Sequence, residues 1–269
     1  MENNKPVLEF YENNENEDNR INRSRLEFVR TKELICRVLP ENKIRIIDLC
    51  GATGHYAYWL AKKGHEVHLR DLSPRHITEA KANEKNYNAK LASIALGDAR
   101  STECEDNSFD MVLLMGALYH LQVKEDRLQC LKEVNRILKP GGTAVFAYIN
   151  RYASMLDGFL RGFIDDPAFR KIVDNDIATG RHVNADNNPN YFTNAFFHTT
   201  DEIHGELLQT NFCNTMLFAV EGFGVFLNHE EYFKDEEKLR TLLHYIRITE
   251  QNMEMIGLSD HLLVICKKT

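Results

Sequence analysis

The stretch that decides the fold is Ile46-Ile47-Asp48-Leu49-Cys50-Gly51-Ala52-Thr53-Gly54, where an apolar run ends at an acid and a turn of small residues follows. Three further markers come after it at regular distances, namely Asp71, Asp98 and the turn Lys139-Pro140-Gly141-Gly142. Glycines in the first turn let the backbone bend tightly and approach a ligand closely, and the helix after the turn would point its N-terminus at that ligand. One glycine turn alone is a weak signal, but the ordered series predicts a nucleoside-binding α/β domain.

Strands and helices alternate around this turn. The residue patterns predict strands over 44–49, 65–71, 91–96, 109–115 and 143–149, and helices over 24–39, 55–63, 73–86 and 124–138. Such alternation predicts a mostly parallel, doubly wound sheet with helices on both faces. Ligands bind these sheets beyond the carboxyl ends of the strands. Asp48, Asp71 and Asp98 all fall at such ends, so we expect their carboxylates to converge.

The rest of the chain departs from this alternation. We expect four parts: an N-terminal helical arm over 1–43, the α/β core over 44–150, a helical lid over 151–198, and the remainder of the core sheet over 199–269. The lid carries helical patterns, aromatic residues and a polar loop, and a long insertion of this kind usually covers a binding site. In the last part we predict a strand over 215–220, a helix from Asp235 to Gly257 and a strand over 261–266.

Composition excludes several classes of protein. The chain has 269 residues, of which 43% are hydrophobic and 27% charged, with a net charge of −7. These values are ordinary for a globular protein, and the negative charge argues against nucleic acid as a partner. No run approaches the ~18 apolar residues that a membrane span needs. The six cysteines form no C-x-x-C pair, so we expect a cytoplasmic protein with reduced thiols and no metal site.

The three acids have distinct expected roles. We expect Asp48 to order the turn and to lie near a cationic end of the ligand. An acid at the end of the second strand, here Asp71, accepts hydrogen bonds from ribose hydroxyls, although it could also serve only to cap the following helix. Asp98 can accept a hydrogen bond from an exocyclic amine such as that of adenine.

The glycine pattern indicates which kind of adenosine-containing ligand is expected, a dinucleotide or another adenosyl compound. A dinucleotide site requires G-x-G-x-x-G, and residues 50–55 lack that triplet. The stretch from about 44 to 150 resembles the class I S-adenosylmethionine-dependent methyltransferases, whose motif is usually D-x-G-x-G-x-G. Here Cys50 and Ala52 replace the first two glycines of that motif, and Gly54 keeps the last. Both replacements are small residues, so we expect a slightly tighter pocket.

The resemblance implies a Rossmann-like seven-stranded fold, S-adenosylmethionine as cofactor and S-adenosylhomocysteine as product. It also rests on the stretches 108–112 and 116–121 and on the turn 136–142. The expected cofactor-binding residues are Asp48, Cys50, Gly51, Ala52, Gly54, Asp71, Leu72, Asp98, Ala99 and Met115, with Tyr11 added if the N-terminal arm closes over the cofactor.

Candidates for catalysis and acceptor binding lie outside the glycine turn. Tyr119 and His120 follow the fourth strand, where we expect a general base or a side chain that lines the binding site of the methyl acceptor. Tyr191, His198 and Glu221 are candidate acceptor contacts. The arm also carries Arg20, Arg23 and Arg25, which are either part of a lid or a solvated charged segment.

The sequence therefore predicts a methyltransferase acting on a small molecule, with no nucleic acid or membrane partner. Alternatives remain open: a nicotinamide-dependent oxidoreductase, a non-catalytic protein that binds S-adenosylmethionine, and a protein or RNA acceptor. The attacking atom and the oligomeric state are left open as well.

Overall fold

The computed structural model describes residues 5–13 and 24–269. The helices are α1 (Lys5–Asn13), α2 (Arg25–Cys36), α3 (His55–Lys62), α4 (Pro74–Tyr87), α5 (Ala117–His120), α6 (Lys124–Ile137), α7 (Ala153–Arg161), α8 (Pro167–Thr179), α9 (Thr200–Leu207), α10 (His229–Phe233), α11 (Glu236–Thr249) and α12 (Met253–Ile256). The strands are β1 (Arg45–Leu49), β2 (Glu66–Asp71), β3 (Ser93–Leu96), β4 (Phe109–Leu114), β5 (Leu138–Ile149), β6 (Arg181–His182), β7 (Ala195–Phe196), β8 (Phe212–Ala219) and β9 (His261–Lys268).

Seven strands form one sheet in the order β3-β2-β1-β4-β5-β9-β8. The first five strands of this order are parallel to one another, and β9 is antiparallel to both β5 and β8. This arrangement confirms the predicted doubly wound, mostly parallel seven-stranded sheet. The direction of winding reverses between β1 and β4, and a crevice opens beyond the carboxyl ends of strands at such a point.

The core occupies both faces of this sheet. Ile47 and Leu49 of β1 pack in one hydrophobic cluster, whereas Ile46 packs in the other. The apolar run before Asp48 is therefore explained by a central strand that is covered on both sides. This burial fixes the strand and, with it, the position of the turn that follows.

Several predicted boundaries were wrong. The helix predicted from Asp235 to Gly257 is two helices, because α11 ends at Thr249 and the Asn252 side chain accepts a hydrogen bond from the Glu254 amide to start α12. The turn at Lys139–Gly142 lies within β5 as a bulge: Phe109 pairs with Leu138, but the next pair in the ladder joins Met111 to Thr143.

Other parts were longer than predicted or were missed. Strand β8 begins three residues early, and β9 continues to Lys268, because the antiparallel ladder between them extends past the apolar run. The small β6–β7 pair was not predicted, since two residues per strand give no periodic pattern. None of the helices in 5–13 and 24–269 combines the length and the apolar character needed to cross a bilayer.

Candidate functional site

A pocket opens at the carboxyl ends of β1, β2 and β4, and it spans about 1130 Å³ when the open solvent at its mouth is included. The predicted cofactor residues that line it are Asp48, Cys50, Gly51, Ala52, Asp71, Leu72, Asp98, Ala99, Met115 and Tyr11. Gly54 does not line it; its positive φ of 91° lets the backbone enter α3. The structure therefore brings together residues that are up to about a hundred positions apart in the chain.

The turn after β1 is held in an unusual backbone conformation. Cys50 and Ala52 have φ values of 61° and 47°, a region that residues with a Cβ rarely adopt. Gly51 between them is needed for space, because a Cβ there would lie 2.9 Å from the Asp48 carboxylate. The backbone at Gly51 therefore lies closer to the Asp48 carboxylate than a residue with a Cβ could.

Replacing Ala52 by glycine should stabilise the protein by about 1 kcal/mol, because the left-handed conformation costs an L-residue roughly 1–2 kcal/mol. The same substitution at Ala82, which is exposed inside α4, should instead lower stability by about 1 kcal/mol. Urea unfolding of the two variants tests this pair. A loss of stability in Ala52→Gly would show that the turn carries no such strain.

Asp71 joins the loops after β1 and β2. Its Oδ2 accepts a hydrogen bond from the Ala52 amide at 2.9 Å, and its Oδ1 accepts one from the Ser73 amide at 2.9 Å. The His76 Nδ1 lies 3.1 Å from the same Oδ1. The N-cap of α4 is Ser73, whose Oγ accepts from the His76 amide at 3.0 Å. Asp71 is therefore not the cap of that helix; it orders both loops and lines the pocket.

Asp98 is an ion-paired carboxylate. The guanidinium of Arg100 contacts both of its oxygens, at 2.6 Å in the closest pair, and the Arg100 amide donates to Oδ1 at 2.9 Å. Burial opposes ionisation, but the hydrogen bonds from Arg100 hold the pKa of Asp98 below its usual value. Asp98 thus presents a charged acceptor of fixed orientation to the pocket.

The Asp48 side chain is completely buried. Neither of its carboxylate oxygens receives a hydrogen bond from the part of the chain that the structure describes. Burial, together with the charge of Asp71, raises the pKa of Asp48 to about 8. The ordering of the turn that we expected of Asp48 is performed by Asp71 instead. A buried carboxylate without a donor, facing a pocket, suits a cationic group of a ligand.

The N-terminal helix α1 closes one side of the pocket. Val7, Leu8 and Tyr11 line it. The Nη1 of Arg75 donates to the Tyr11 and Glu12 carbonyls at 3.1 and 3.0 Å, and the Glu12 carboxylate accepts from the Arg75 amide at 3.2 Å. Arg20 and Arg23 lie outside the described residues, and Arg25 packs on the Phe233 ring rather than near Tyr11.

An aromatic wall, consisting of Tyr11, Tyr119, His120 and Phe192, stands at one end of the pocket. The Tyr11 hydroxyl lies 3.0 Å from the His120 Nε2. The Phe192 ring stacks on His120, with ring centroids 5.6 Å apart, and lies 6.5 Å from Tyr119. Segments from the arm, from α5 and from the insertion therefore meet at this wall.

The three candidate acceptor contacts lie away from the pocket lining. The Tyr191 hydroxyl donates to Asp166 at 2.5 Å, and its ring packs on Phe163 and Phe169. His198 is fully buried, which lowers its pKa. Glu221 accepts hydrogen bonds from Ser259 and His261.

Sequence reasoning missed Glu27, Tyr56 and His76, which line the pocket from the first turns of α2, α3 and α4. The position of each in a first turn was the available signal, because helix N-termini face the ligand edge of such a sheet. Which residue of each first turn faces the pocket depends on the rotation of the helix about its axis. The pattern of residues in the sequence does not determine that rotation.

Comparison with known proteins agrees with this geometry. Residues 47–146 match the family model of a methyltransferase domain. A Bacillus subtilis protein whose name provisionally calls it a methyltransferase is 36% identical over 109 residues, which are 40% of this chain and 43% of that protein. A demethylmenaquinone methyltransferase of Staphylococcus aureus is 35% identical over 105 residues, or 38% of this chain and 42% of that protein. The matches span less than half the length of these curated relatives.

A solved S-adenosylmethionine-dependent methyltransferase from Methanosarcina mazei has a TM-score of 0.59 at 18% identity, covering 87% of this chain and 96% of that one. The chain has the class I methyltransferase fold. The resemblance stated from the sequence is therefore confirmed for the fold. Asp48, Asp71 and Asp98 all lie inside the matched methyltransferase domain.

Proposed function

We propose that the chain is an S-adenosylmethionine-dependent methyltransferase that acts on a small-molecule acceptor. The observation that carries the proposal is the buried Asp48 carboxylate, which faces the pocket without a donor from the described residues. It would hold the ammonium group of S-adenosylmethionine, while Asp71 would bind the ribose and Asp98 the adenine. When bound, that cofactor supplies a methyl group already activated by its sulfonium.

The chain's own contribution is to position the acceptor and to take up its proton. Fixing a nucleophile in line can lower a barrier by about 7–11 kcal/mol. His120, in contact with the Tyr11 hydroxyl at 3.0 Å, is the proposed proton acceptor, because a neutral imidazole is a suitable base near neutral pH. Tyr119 and Phe192 would flank the acceptor as parts of the aromatic wall.

A small acceptor fits the enclosure better than a macromolecule does. Helix α1 lies over the pocket, and Phe192 covers His120, so a folded chain would have to displace both. The net charge of −7 disfavours RNA. All six cysteines are unpaired thiols, which supports a reducing, cytoplasmic location.

Calorimetry tests the proposal. S-adenosylmethionine or S-adenosylhomocysteine should bind with micromolar affinity, about −8 kcal/mol, and Asp71→Ala should weaken binding by about 1–3 kcal/mol. Asp174→Ala removes an exposed carboxylate of α8, outside the pocket, and should bind as the parent does. Absence of both heat and a thermal shift at millimolar ligand would contradict the proposed function.

A further inference from the structure

The aromatic wall combines side chains from segments that are far apart in the chain. His120 belongs to the α5 segment, which we define as residues 117–122, whereas Phe192 belongs to the loop 183–194 between β6 and β7. The two rings stack with their centroids 5.6 Å apart. Their arrangement therefore depends on the contacts that fix this loop relative to the α5 segment.

Gln122 provides a direct link between the two. Its Nε2 donates to the His182 carbonyl at 2.8 Å and to the Ala195 carbonyl at 3.2 Å. His182 and Ala195 are opposite each other in the β6–β7 pair, and they are the last residues to pair before the loop begins. Because a side-chain amide has two N–H groups, Gln122 can hold both strands at the base of the loop at once.

The loop 183–194 is braced by its own side chains. The Asn184 backbone amide donates to the Asn194 Oδ1 at 3.0 Å. The Asn184 Nδ2 donates to the Asn188 and Phe192 carbonyls at 2.9 and 3.2 Å, and the Asn188 amide donates to the Asn184 Oδ1 at 3.0 Å. A loop braced in this way keeps its internal shape, so the contacts at its base set the position of Phe192.

The α5 segment is itself anchored to the core. Arg127, a buried residue of α6, donates through Nη1 to the Leu121 and Gln122 carbonyls at 2.9 and 3.2 Å. Its Nη2 donates to the Glu206 carboxylate at 2.7 Å, and its guanidinium lies 3.7 Å from the centroid of the Phe196 ring. The Gln122 backbone is therefore fixed, which allows its side chain to locate the loop.

We infer that Gln122 is a positioning residue for the acceptor site: it holds the loop 183–194 on the α5 segment so that Phe192 lies against His120. The inference rests on the proposed function, in which His120 takes up the proton of the acceptor. Gln122 does not line the pocket, so it acts through Phe192 rather than by touching a ligand. Functional side chains are commonly held in place by neighbours of this kind.

Backbone contacts attach β7 to the core at another point. The His198 amide donates to the Ile149 carbonyl at 2.8 Å, and the Arg151 amide donates to the His198 carbonyl at 2.8 Å. These bonds join the chain after β7 to the end of β5, not to the α5 segment. Loss of the Gln122 amide should therefore leave the insertion folded and change mainly the contact between Phe192 and His120.

NMR of the histidine rings in the full chain, saturated with S-adenosylhomocysteine, tests the inference. The ring current of Phe192 should displace the His120 Hε1 signal, and Phe192→Leu gives the position of that signal without the ring. Gln122→Met keeps the length of the side chain but removes the donor, so it should move the signal towards the Phe192→Leu position. Gln122→Glu should move it further, because its carboxylate would face two carbonyl oxygens.

Gln209→Met is the matched control. The Gln209 Nε2 also donates to a backbone carbonyl, that of Gly205 at 2.7 Å, but Gln209 is exposed and lies outside the pocket. Its replacement should leave the His120 signal at the parent position. In the double variant Gln122→Met with Phe192→Leu, the signal should match that of Phe192→Leu alone, because the two residues act as a unit.

Three results would overturn the inference: a His120 signal that is unchanged in both Gln122 variants, a displacement by Gln122→Met that persists when Phe192 is already leucine, or a large loss of S-adenosylhomocysteine affinity in Gln122→Met. Gln122→Met carries the test if Gln122→Glu fails to fold. Failure of the parent protein to bind S-adenosylhomocysteine would instead contradict the proposed function. The NMR comparison can be made without ligand, so the two failures are distinguishable.

Discussion

Replacing Asp48 by asparagine should stabilise the ligand-free protein above neutral pH and strongly weaken its binding of S-adenosylmethionine. The pKa of Asp48 rises from 3.8 to about 8 on folding. Between those values the folded protein holds a proton that the unfolded chain releases, so stability falls as pH rises through this window. Asparagine has no charge to bury, and the variant should be more stable by about 5 kcal/mol at pH 8, since a shift of about four pKa units corresponds to about 1.4 kcal/mol per unit.

The same substitution that raises stability should lower the affinity for the cofactor. Asp48→Asn should bind S-adenosylmethionine at least ~100-fold more weakly, about 3 kcal/mol, because the ammonium loses its carboxylate. In the parent protein the cation favours the ionised acid, so binding should release a proton and tighten from pH 6 to pH 8. Calorimetry in buffers of different ionisation enthalpy measures that proton directly.

Asp174→Asn is the control for the predicted changes in stability and in cofactor affinity. Asp174 is exposed and lies outside the pocket, so its replacement should alter neither. Unfolding at pH 6 and pH 8 separates the two contributions, because the stabilisation in Asp48→Asn should shrink at the lower pH. A variant that binds the cofactor as tightly as the parent, or that is less stable at pH 8, would contradict the assignment of Asp48.

The sequence was sufficient to predict the edge of the sheet where the site lies. Asp48, Asp71 and Asp98 lie at or just beyond the carboxyl ends of β1, β2 and β3, and parallel strands bring such ends together whatever the rest of the chain does. It was not sufficient to assign their tasks. Asp71 orders both loops because the Ala52 and Ser73 amides reach it, and those contacts exist only once the two loops have packed.

Residues that reach the site from outside the core were harder to predict. Tyr191 and Phe192 are neighbours in the insertion, yet Tyr191 packs on Phe163 and Phe169 while Phe192 stacks on His120. Both are aromatic, and the local pattern cannot tell which one turns toward the pocket. The same holds for Glu27, because its place at the lining depends on how α2 packs against the ends of β8 and β9.

Removal of the His120 ring should lower turnover much more than cofactor binding. His120→Ala should reduce the rate of S-adenosylhomocysteine formation by about 10²–10⁴-fold, the usual contribution of a general base, which is about 3–5 kcal/mol of barrier. Its Nε2 lies 3.0 Å from the Tyr11 hydroxyl, so Tyr11→Phe should also slow the reaction. Cofactor affinity should stay within a few-fold, since Asp48, Asp71 and Asp98 are untouched.

Because Tyr11 and His120 would act on the same proton, their effects should not add. The double variant should be little slower than His120→Ala alone, as is typical of residues that work as a unit. His204→Ala removes an exposed imidazole from α9 and serves as the matched control. If His120→Ala keeps most of its turnover at every pH, the pair only shapes the pocket, and proton removal must then be assigned to another group or to solvent.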